Sequence, residues 1–398
     1  MAARLWKYSF ADNDAFIDWY FRRRAGEVLA ALNGDELMAQ IVRAPLPVFM
    51  RGVAREAVML AGIATAPVYR RQGHINTLMA EAFRRLYEEG VCAAVLYPFD
   101  YTYYARYGFA RCGEIANVRA ELSRLPGAKP NGRFHALKGD AGDAGLLVRA
   151  YEACYSHYSG HALRDEAAFA LLLEENALDD GCALVYYHED RLEGYLLYAI
   201  QDNAVAVSEI GAASQAARVD LLSFIGSHSS SVGDVAFLCP LDDLLWQCLP
   251  DPRGAVSAEP HDMLRLIDAG SAMHGLPAGQ GEVCLRVTDS YAPWNDGVWR
   301  FRALDGALVA EKLDGGANAA VAMQAETAAS TKAAAHAESA ADAIEPDAEL
   351  SIGALTQWAF GCMDGSALAD VGVNLTAEAA QAMDAILPKQ PFFLFEKY

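Results

Sequence analysis

The sequence predicts an α/β protein with mixed sheets, divided into two or three domains. Three observations lead there. At 398 residues the chain exceeds what one hydrophobic core normally supports. The stretch Ala57–Leu96 reads strand, turn, helix, strand. After the turn-rich linker Leu125-Pro126-Gly127-Ala128-Lys129-Pro130-Asn131-Gly132, strand and helix patterns begin again.

Asp12-Asn13-Asp14 offers a cap for a helix over Ala15–Arg24, with Phe16, Trp19, Tyr20 and Phe21 as its aromatic face. Glu27–Leu32 and Glu36–Arg43 flank Asn33-Gly34-Asp35, a strong hairpin signal. Ala57–Thr65 is a compact apolar strand ended by Pro67, which has no N–H to give to a sheet. A helix follows Arg70-Arg71-Gln72-Gly73-His74. Its apolar face is Ile75, Leu78, Met79, Ala82, Phe83, Leu86 and Tyr87, opposite Glu81, Arg84, Arg85, Glu88 and Glu89. Gly90 stops that helix and Val91–Leu96 forms the next strand.

Beyond the linker, Asp140–Ser156 and Glu166–Asn176 read as helices, and Ala183–His188, Leu192–Ile200 and Ala204–Ile210 as strands. Ser214 caps an amphipathic helix over Gln215–Ser227. Glu282–Trp299 opens a third segment. Residues 318–343 are mostly Ala, Ser, Thr, Glu and Asp, the composition of an exposed, partly disordered insert or an exposed helix. Ile352, Leu355 and Trp358 sit at helical spacing, and Thr376–Ala385 forms the last helix. The expected domains are 1–127, 133–280 and 282–398.

Composition excludes several roles. No apolar stretch approaches the roughly 20 residues of a membrane span, and the N-terminus lacks the apolar core of a signal peptide. A cytoplasmic protein without a membrane partner is expected. The eight cysteines include no C-x-x-C pair, so neither a zinc site nor a disulfide framework is indicated, and no metal is expected. A net charge of −20 argues against a nucleic-acid partner and favours cationic ligands.

The turn Arg70–His74 and the helix start after it carry the most specific chemistry. A strand that passes through arginines and a glycine into a helix leaves several backbone N–H groups unpaired at the positive end of the helix dipole. Gly73 lets a ligand approach the backbone, and such a site suits a pyrophosphate. An ordinary strand–helix turn with solvated arginines remains open on spacing alone.

Arg70-Arg71-Gln72-Gly73-His74-Ile75 resembles the acetyl-CoA signature of the GNAT N-acetyltransferases, [Q/R]-x-x-G-x-[G/A], with Ile75 larger than the usual last residue. Thr65-Ala66-Pro67-Val68-Tyr69-Arg70-Arg71-Gln72-Gly73 is similar to the V-x-P-x-x-R-R-x-G form of one branch, the enhanced intracellular survival (Eis) family. Threonine for valine is the single difference. Tyr104-Ala105-Arg106-Tyr107-Gly108-Phe109 resembles that family's Y-x-R-F-G-Y segment.

The resemblance implies tandem GNAT-like domains, the second degenerate, followed by a domain similar to sterol carrier protein, and a homo-oligomer, a hexamer. It implies acetyl-CoA as co-substrate. Arg70, Arg71, Gln72, Gly73, His74, Ile75 and Asn76 would hold the pyrophosphate. Ile63, Ala64 and Thr65 would pair with the pantetheine arm, and Phe99 and Asp100 would meet it from the far strand. The acceptor would be an amine of a cationic small molecule, aminoglycoside-like, or a lysine.

Acetyl transfer to an amine requires a fixed cofactor, a deprotonated amine, a stabilised oxyanion and a protonated leaving thiolate. Tyr97, Tyr101, Tyr103, Tyr104 and Tyr107 crowd one stretch, and the residues alone do not choose among them. By resemblance Tyr104 is the proton donor. Glu56 is the local candidate base, while the resemblance points to the C-terminal carboxylate of Tyr398. Four aromatics in Phe392–Tyr398 would be costly to leave in water, so the tail is expected to be buried. A second class remains, a non-catalytic carrier or sensor binding acyl-CoA or lipid through the C-terminal domain.

Overall fold

The computed structural model describes residues 1–10, 12–140, 142–313 and 345–396. The insert expected at 318–343 and the candidate base Tyr398 lie outside the described residues. The first segment contains α1 (Ala2–Ser9), α2 (Asp14–Arg23), β1 (Glu27–Asn33), β2 (Glu36–Pro45), β3 (Val48–Met50), β4 (Val53–Arg55), β5 (Ala57–Thr65), α3 (His74–Glu88), β6 (Ala93–Leu96), α4 (Tyr101–Ala105) and β7 (Ala110–Arg111). The second contains β8 (Glu114–Glu121), β9 (Arg133–Leu137), α5 (Asp143–Tyr155), α6 (Glu166–Leu178), β10 (Cys182–His188), β11 (Arg191–Gln201), β12 (Ala204–Ala212), α7 (Gln215–Gly226), β13 (Asp234–Pro240) and β14 (Val256–Pro260). The remainder contains β15 (Met263–Leu266), α8 (Ala269–Met273), β16 (Glu282–Thr288), β17 (Gly297–Leu304), β18 (Ala307–Lys312), β19 (Ala348–Ser351), α9 (Ile352–Phe360), α10 (Gly365–Asp370) and α11 (Ala377–Ile386).

Local chemistry places the leading elements as their sequences suggest. Asn13 caps α2 by accepting from the Phe16 N–H at 2.8 Å. Gly34, at φ +60°, turns the β1–β2 hairpin. The apolar stripe of α3 is buried along its length at Ile75, Leu78, Met79, Ala82, Phe83 and Leu86.

Sheet membership crosses the divisions read from the sequence. The first sheet has the order β1-β2-β5-β6-β15-β7, and the second β14-β8-β13-β12-β11-β10-β9. Thus β8, which precedes the linker, joins the second sheet, while β15 inserts into the first. β15 pairs antiparallel with β6, Met263 opposite Leu96, and with β7 on its other side. All four of its residues are buried, as a strand covered on both faces requires. The third sheet, β18-β17-β16-β19, packs its core onto the first domain. Trp6, Val42 and Ala93 share one buried cluster with Phe301, Leu355 and Trp358.

Arg265 is the one charge carried into this centre by β15. It is fully enclosed, lies over the Phe83 ring with its guanidinium carbon 4.1 Å from the centroid, and donates to the Tyr107 carbonyl and to Asp289 Oδ2 at 2.6 Å. Burial lowers its pKa, and the Asp289 carboxylate opposes that. Asp289 also accepts from the Tyr291 and Ala292 N–H groups and from Asn295 Nδ2. Removing one member of such a pair strands the other charge. Arg265→Met is therefore expected to lower unfolding free energy by about 3–5 kcal/mol, measurable by denaturant titration.

Candidate active site

The site lies where the first sheet opens. β5 and β6 pair in parallel at Ala57, Val58 and Met59 with Ala93, Ala94 and Val95, and no further. β5 then continues to Thr65 against β2 alone, with a register shift opposite Gln40–Val42 and Gly62 at φ +54°. A bulge there bends the strand away from its neighbour. The edge of β5 carrying Ile63, Ala64 and Thr65 is left unpaired on the β6 side, as pairing with a cofactor arm requires. Phe99 and Asp100 lie just past the exit of β6 on the opposite limb. Phe99 is 75% exposed, and Asp100 caps α4 by accepting from the Tyr103 N–H at 2.8 Å.

The Arg70–Asn76 turn sits at the open end. Gly73 caps α3 in the left-handed region, φ +83°, with no side-chain cap. Among the described residues, no acceptor takes the N–H groups of Gly73, His74, Ile75 and Asn76. Arg71 also has positive φ, +62°, a conformation that costs a non-glycine residue about 1 kcal/mol or more. Its guanidinium is exposed and has no described partner. Arg70 instead donates to the Thr65 carbonyl at 3.5 Å and Gln72 to the Val68 carbonyl at 3.1 Å. Unclaimed N–H groups at a helix start, beside an unpaired arginine, fit a pyrophosphate. His74 and Asn76 face elsewhere. The His74 ring meets Tyr69 edge-on, its Nε2 enclosed without a partner, and the Asn76 amide oxygen accepts from the Tyr107 hydroxyl at 2.6 Å. Arg71→Ala should weaken acetyl-CoA binding by roughly 1.5–3 kcal/mol, the range for a hydrogen bond to a charged group, read by calorimetry.

The structure separates the five tyrosines by their hydroxyl partners and by burial. Tyr101 donates to the carbonyls of Pro260 and His261 at 2.7 and 2.9 Å, pinning α4 to the approach of β15. Tyr107 is committed to Asn76, and Tyr103 lies beneath the Arg106 guanidinium, 4.0 Å from ring centroid to cation. Tyr97 is half exposed and packs on His261. Tyr104 differs. Its ring is buried among Phe99, Tyr103 and Phe109, yet its hydroxyl bonds to no described residue and is not sealed from solvent. Burial, with Tyr103 and Tyr107 nearby, raises its pKa, so the phenol holds its proton at neutral pH. Such a group can donate a proton and is a poor base.

Glu56 is not brought to this place. It is exposed immediately before β5, whose pairing with β6 runs through Met59 before the fork opens. At roughly 3.3 Å per strand residue, about 13 Å of strand separates it from Leu60. The described tail does reach the neighbourhood of the β6 exit. The Phe395 ring lies 5.3 Å from His261, which in turn packs 4.8 Å from Tyr97 at the exit of β6. Phe393 and Leu394 are buried, as the tail's aromatics demand. Glu396 is held by Arg24 and Arg164, a clamp no sequence pattern marks because its partners lie far apart in the chain.

Comparison with known proteins agrees with this geometry. Residues 1–112 and 160–266 match acetyltransferase (GNAT) domain models, and residues 269–394 match a sterol carrier protein domain. An uncharacterized N-acetyltransferase of Streptomyces avermitilis is 22% identical over 270 residues, covering 63% of this chain and 65% of that protein's length. Among solved structures, a probable N-acyltransferase of unknown function from Enterococcus faecalis superposes with a TM-score of 0.79 at 22% identity, covering 98% of this chain and 96% of that one. Eis1 from Mycobacterium abscessus gives 0.71 at 20% identity, covering 98% and 95%. No described helix is long and apolar enough to cross a membrane. The chain is built from two GNAT acetyltransferase domains and a C-terminal sterol carrier protein domain, and acetyl-CoA is the co-substrate of such an enzyme.

Proposed function

We propose that the chain is an Eis-like enzyme that transfers the acetyl group of acetyl-CoA to an amine of a cationic small molecule, aminoglycoside-like, or to a lysine. The β5–β6 fork with Tyr104 at its mouth carries this reading. The pyrophosphate lies on the Arg70–Asn76 turn, and the pantetheine arm lies between Ile63–Thr65 and Phe99–Asp100. The carboxylate of Tyr398 takes the proton of the acceptor ammonium. The free amine attacks the thioester carbonyl, the C–S bond breaks, Tyr104 protonates the departing thiolate, and the proton given up by the new amide nitrogen returns the phenolate to a phenol. The chain's net charge of −20 supports a cationic acceptor by long-range attraction. A homo-oligomer, a hexamer by resemblance to the family, belongs to the same proposal. Trp358, Phe301 and Phe360 are fully enclosed in the C-terminal domain, which supports a structural role there over lipid carriage.

Thiol release from acetyl-CoA, followed against aminoglycosides, simple diamines and lysine peptides, tests the proposal. Turnover that saturates with at least one polycationic amine is expected. Tight acetyl-CoA binding without thiol release for any amine would favour a carrier.

A further inference from the structure

The second GNAT domain keeps a fork of its own. β12 and β13 pair in parallel only at Ala204–Ala206 with Asp234–Ala236, and β12 then runs to Ala212 and β13 to Pro240. Its helix start is already filled. Ser214 caps α7, accepting from the Ala217 N–H at 3.1 Å, and donates to the Glu193 carboxylate at 2.5 Å. A carboxylate of the protein therefore stands at the end of the helix where a phosphate would bind.

The limbs are tied by two tyrosines from the end of α5 and the turn after it. Tyr155 donates to the Ile210 carbonyl on β12 at 2.5 Å, and Tyr158 to Asp242 Oδ1, just past β13, at 2.9 Å. On these rings sits Phe393, stacked on Tyr155 at 5.0 Å and 5.8 Å from Tyr158. Its segment pairs with Ser159 like a short strand. The Ser159 N–H donates to the Pro391 carbonyl and the Phe393 N–H to the Ser159 carbonyl, both at 2.9 Å. Phe392 lies against Gly113 and Gly160, where an added Cβ would collide with its ring.

Beyond them Glu396, 5% exposed, is gripped from two domains. Arg164 Nη2 donates to it at 2.6 Å and Arg24 Nη2 at 3.0 Å. Each arginine is anchored again, Arg164 by Glu209 of β12 at 2.8 Å and Arg24 by Glu175 of α6 at 3.2 Å. Both second contacts lie in the second domain.

We infer that the second GNAT domain is the receptor for the chain's own segment 391–396, and that Phe393, Arg164 and Arg24 are positioning residues for the chain end at Tyr398. The docking stands on the contacts above; its catalytic consequence rests on the reading of Tyr398 as base. An aromatic slot, a strand-like backbone pairing and a buried carboxylate clamp together define the position of Glu396, two residues before Tyr398.

The test uses the full-length chain with Phe393→Ala, the isosteric Glu396→Gln, and Arg164→Lys as the conservative control. Hydrogen exchange of the 388–396 segment reports docking, and kcat and KM for acetyl-CoA report catalysis. Phe393→Ala and Glu396→Gln should each speed exchange about tenfold or more, as local opening becomes easier. They should lower kcat by on the order of 10- to 10²-fold with KM for acetyl-CoA unchanged, the signature of misplacement rather than lost cofactor binding. Arg164→Lys should fall between these variants and the parent. A segment that stays protected in both variants overturns the receptor assignment and leaves the Tyr398 reading untouched. Faster exchange with unchanged kcat overturns the positioning role. An active chain carrying glycines after Tyr398, with the segment still protected, sinks the base and the positioning role with it, and leaves the docking standing.

Discussion

Tyr104→Phe should leave folding and acetyl-CoA affinity intact while turnover falls on the order of 10²-fold or more, the usual scale for a positioned acid. The substitution keeps the ring that packs against Phe99, Tyr103 and Phe109 and removes only a hydroxyl that bonds to nothing in the described structure. Because burial raises the phenol's pKa, the acid is protonated through neutral pH. The parent enzyme's rate should therefore lose its donor only above the ordinary tyrosine range of about 10. The Phe variant should lack that limb of the profile. Steady-state kinetics across pH check both points. Normal turnover in Tyr104→Phe, with loss in Tyr103→Phe or Tyr107→Phe, would transfer the role to a neighbour.

Appending one or two glycines after Tyr398 should collapse turnover while melting temperature and acetyl-CoA binding change little. The terminal charge moves about 3.3–3.6 Å per added extended residue, enough to break contact with an amine. Every aromatic of the tail stays in place, and Glu396 keeps its two arginines. Glu56→Gln should be nearly silent, because that carboxylate lies before β5, far from the fork. Activity in the extended chain together with a dead Glu56→Gln enzyme would reverse the assignment.

Much of the candidate site is legible because its signals are local. The Arg70–Gly73 turn, the α3 stripe and the N-cap at Asn13 each depend on residues within a few positions. Composition and spacing leave the five tyrosines equivalent and only the family resemblance singles out Tyr104, because the hydroxyl partners, Tyr101 on Pro260 and His261 and Tyr107 on Asn76, lie far away in the chain. The exchange of β8 and β15 between sheets also escaped the sequence. Met263-Leu264-Arg265-Leu266 is too short for period alone to assign, and its pairing partners lie about 150 residues or more away in the chain. Glu56 is an acid next to the motif strand, but β5 pairs with β6 at Ala57, Val58 and Met59 before the fork opens, and the sequence does not show where that pairing stops.

Taken with the proposed function, one GNAT fork binds acetyl-CoA and the other is closed by the chain itself. Calorimetric titration of the full-length protein with acetyl-CoA tests it most directly, with Gly73→Asp as the companion variant. One equivalent per chain is expected, and none for Gly73→Asp, which sets a side chain and a negative charge at the α3 N-terminus in a backbone conformation that favours glycine. Two equivalents per chain would show the second fork open, and undiminished binding in a folded Gly73→Asp protein would remove the α3 turn as the cofactor site.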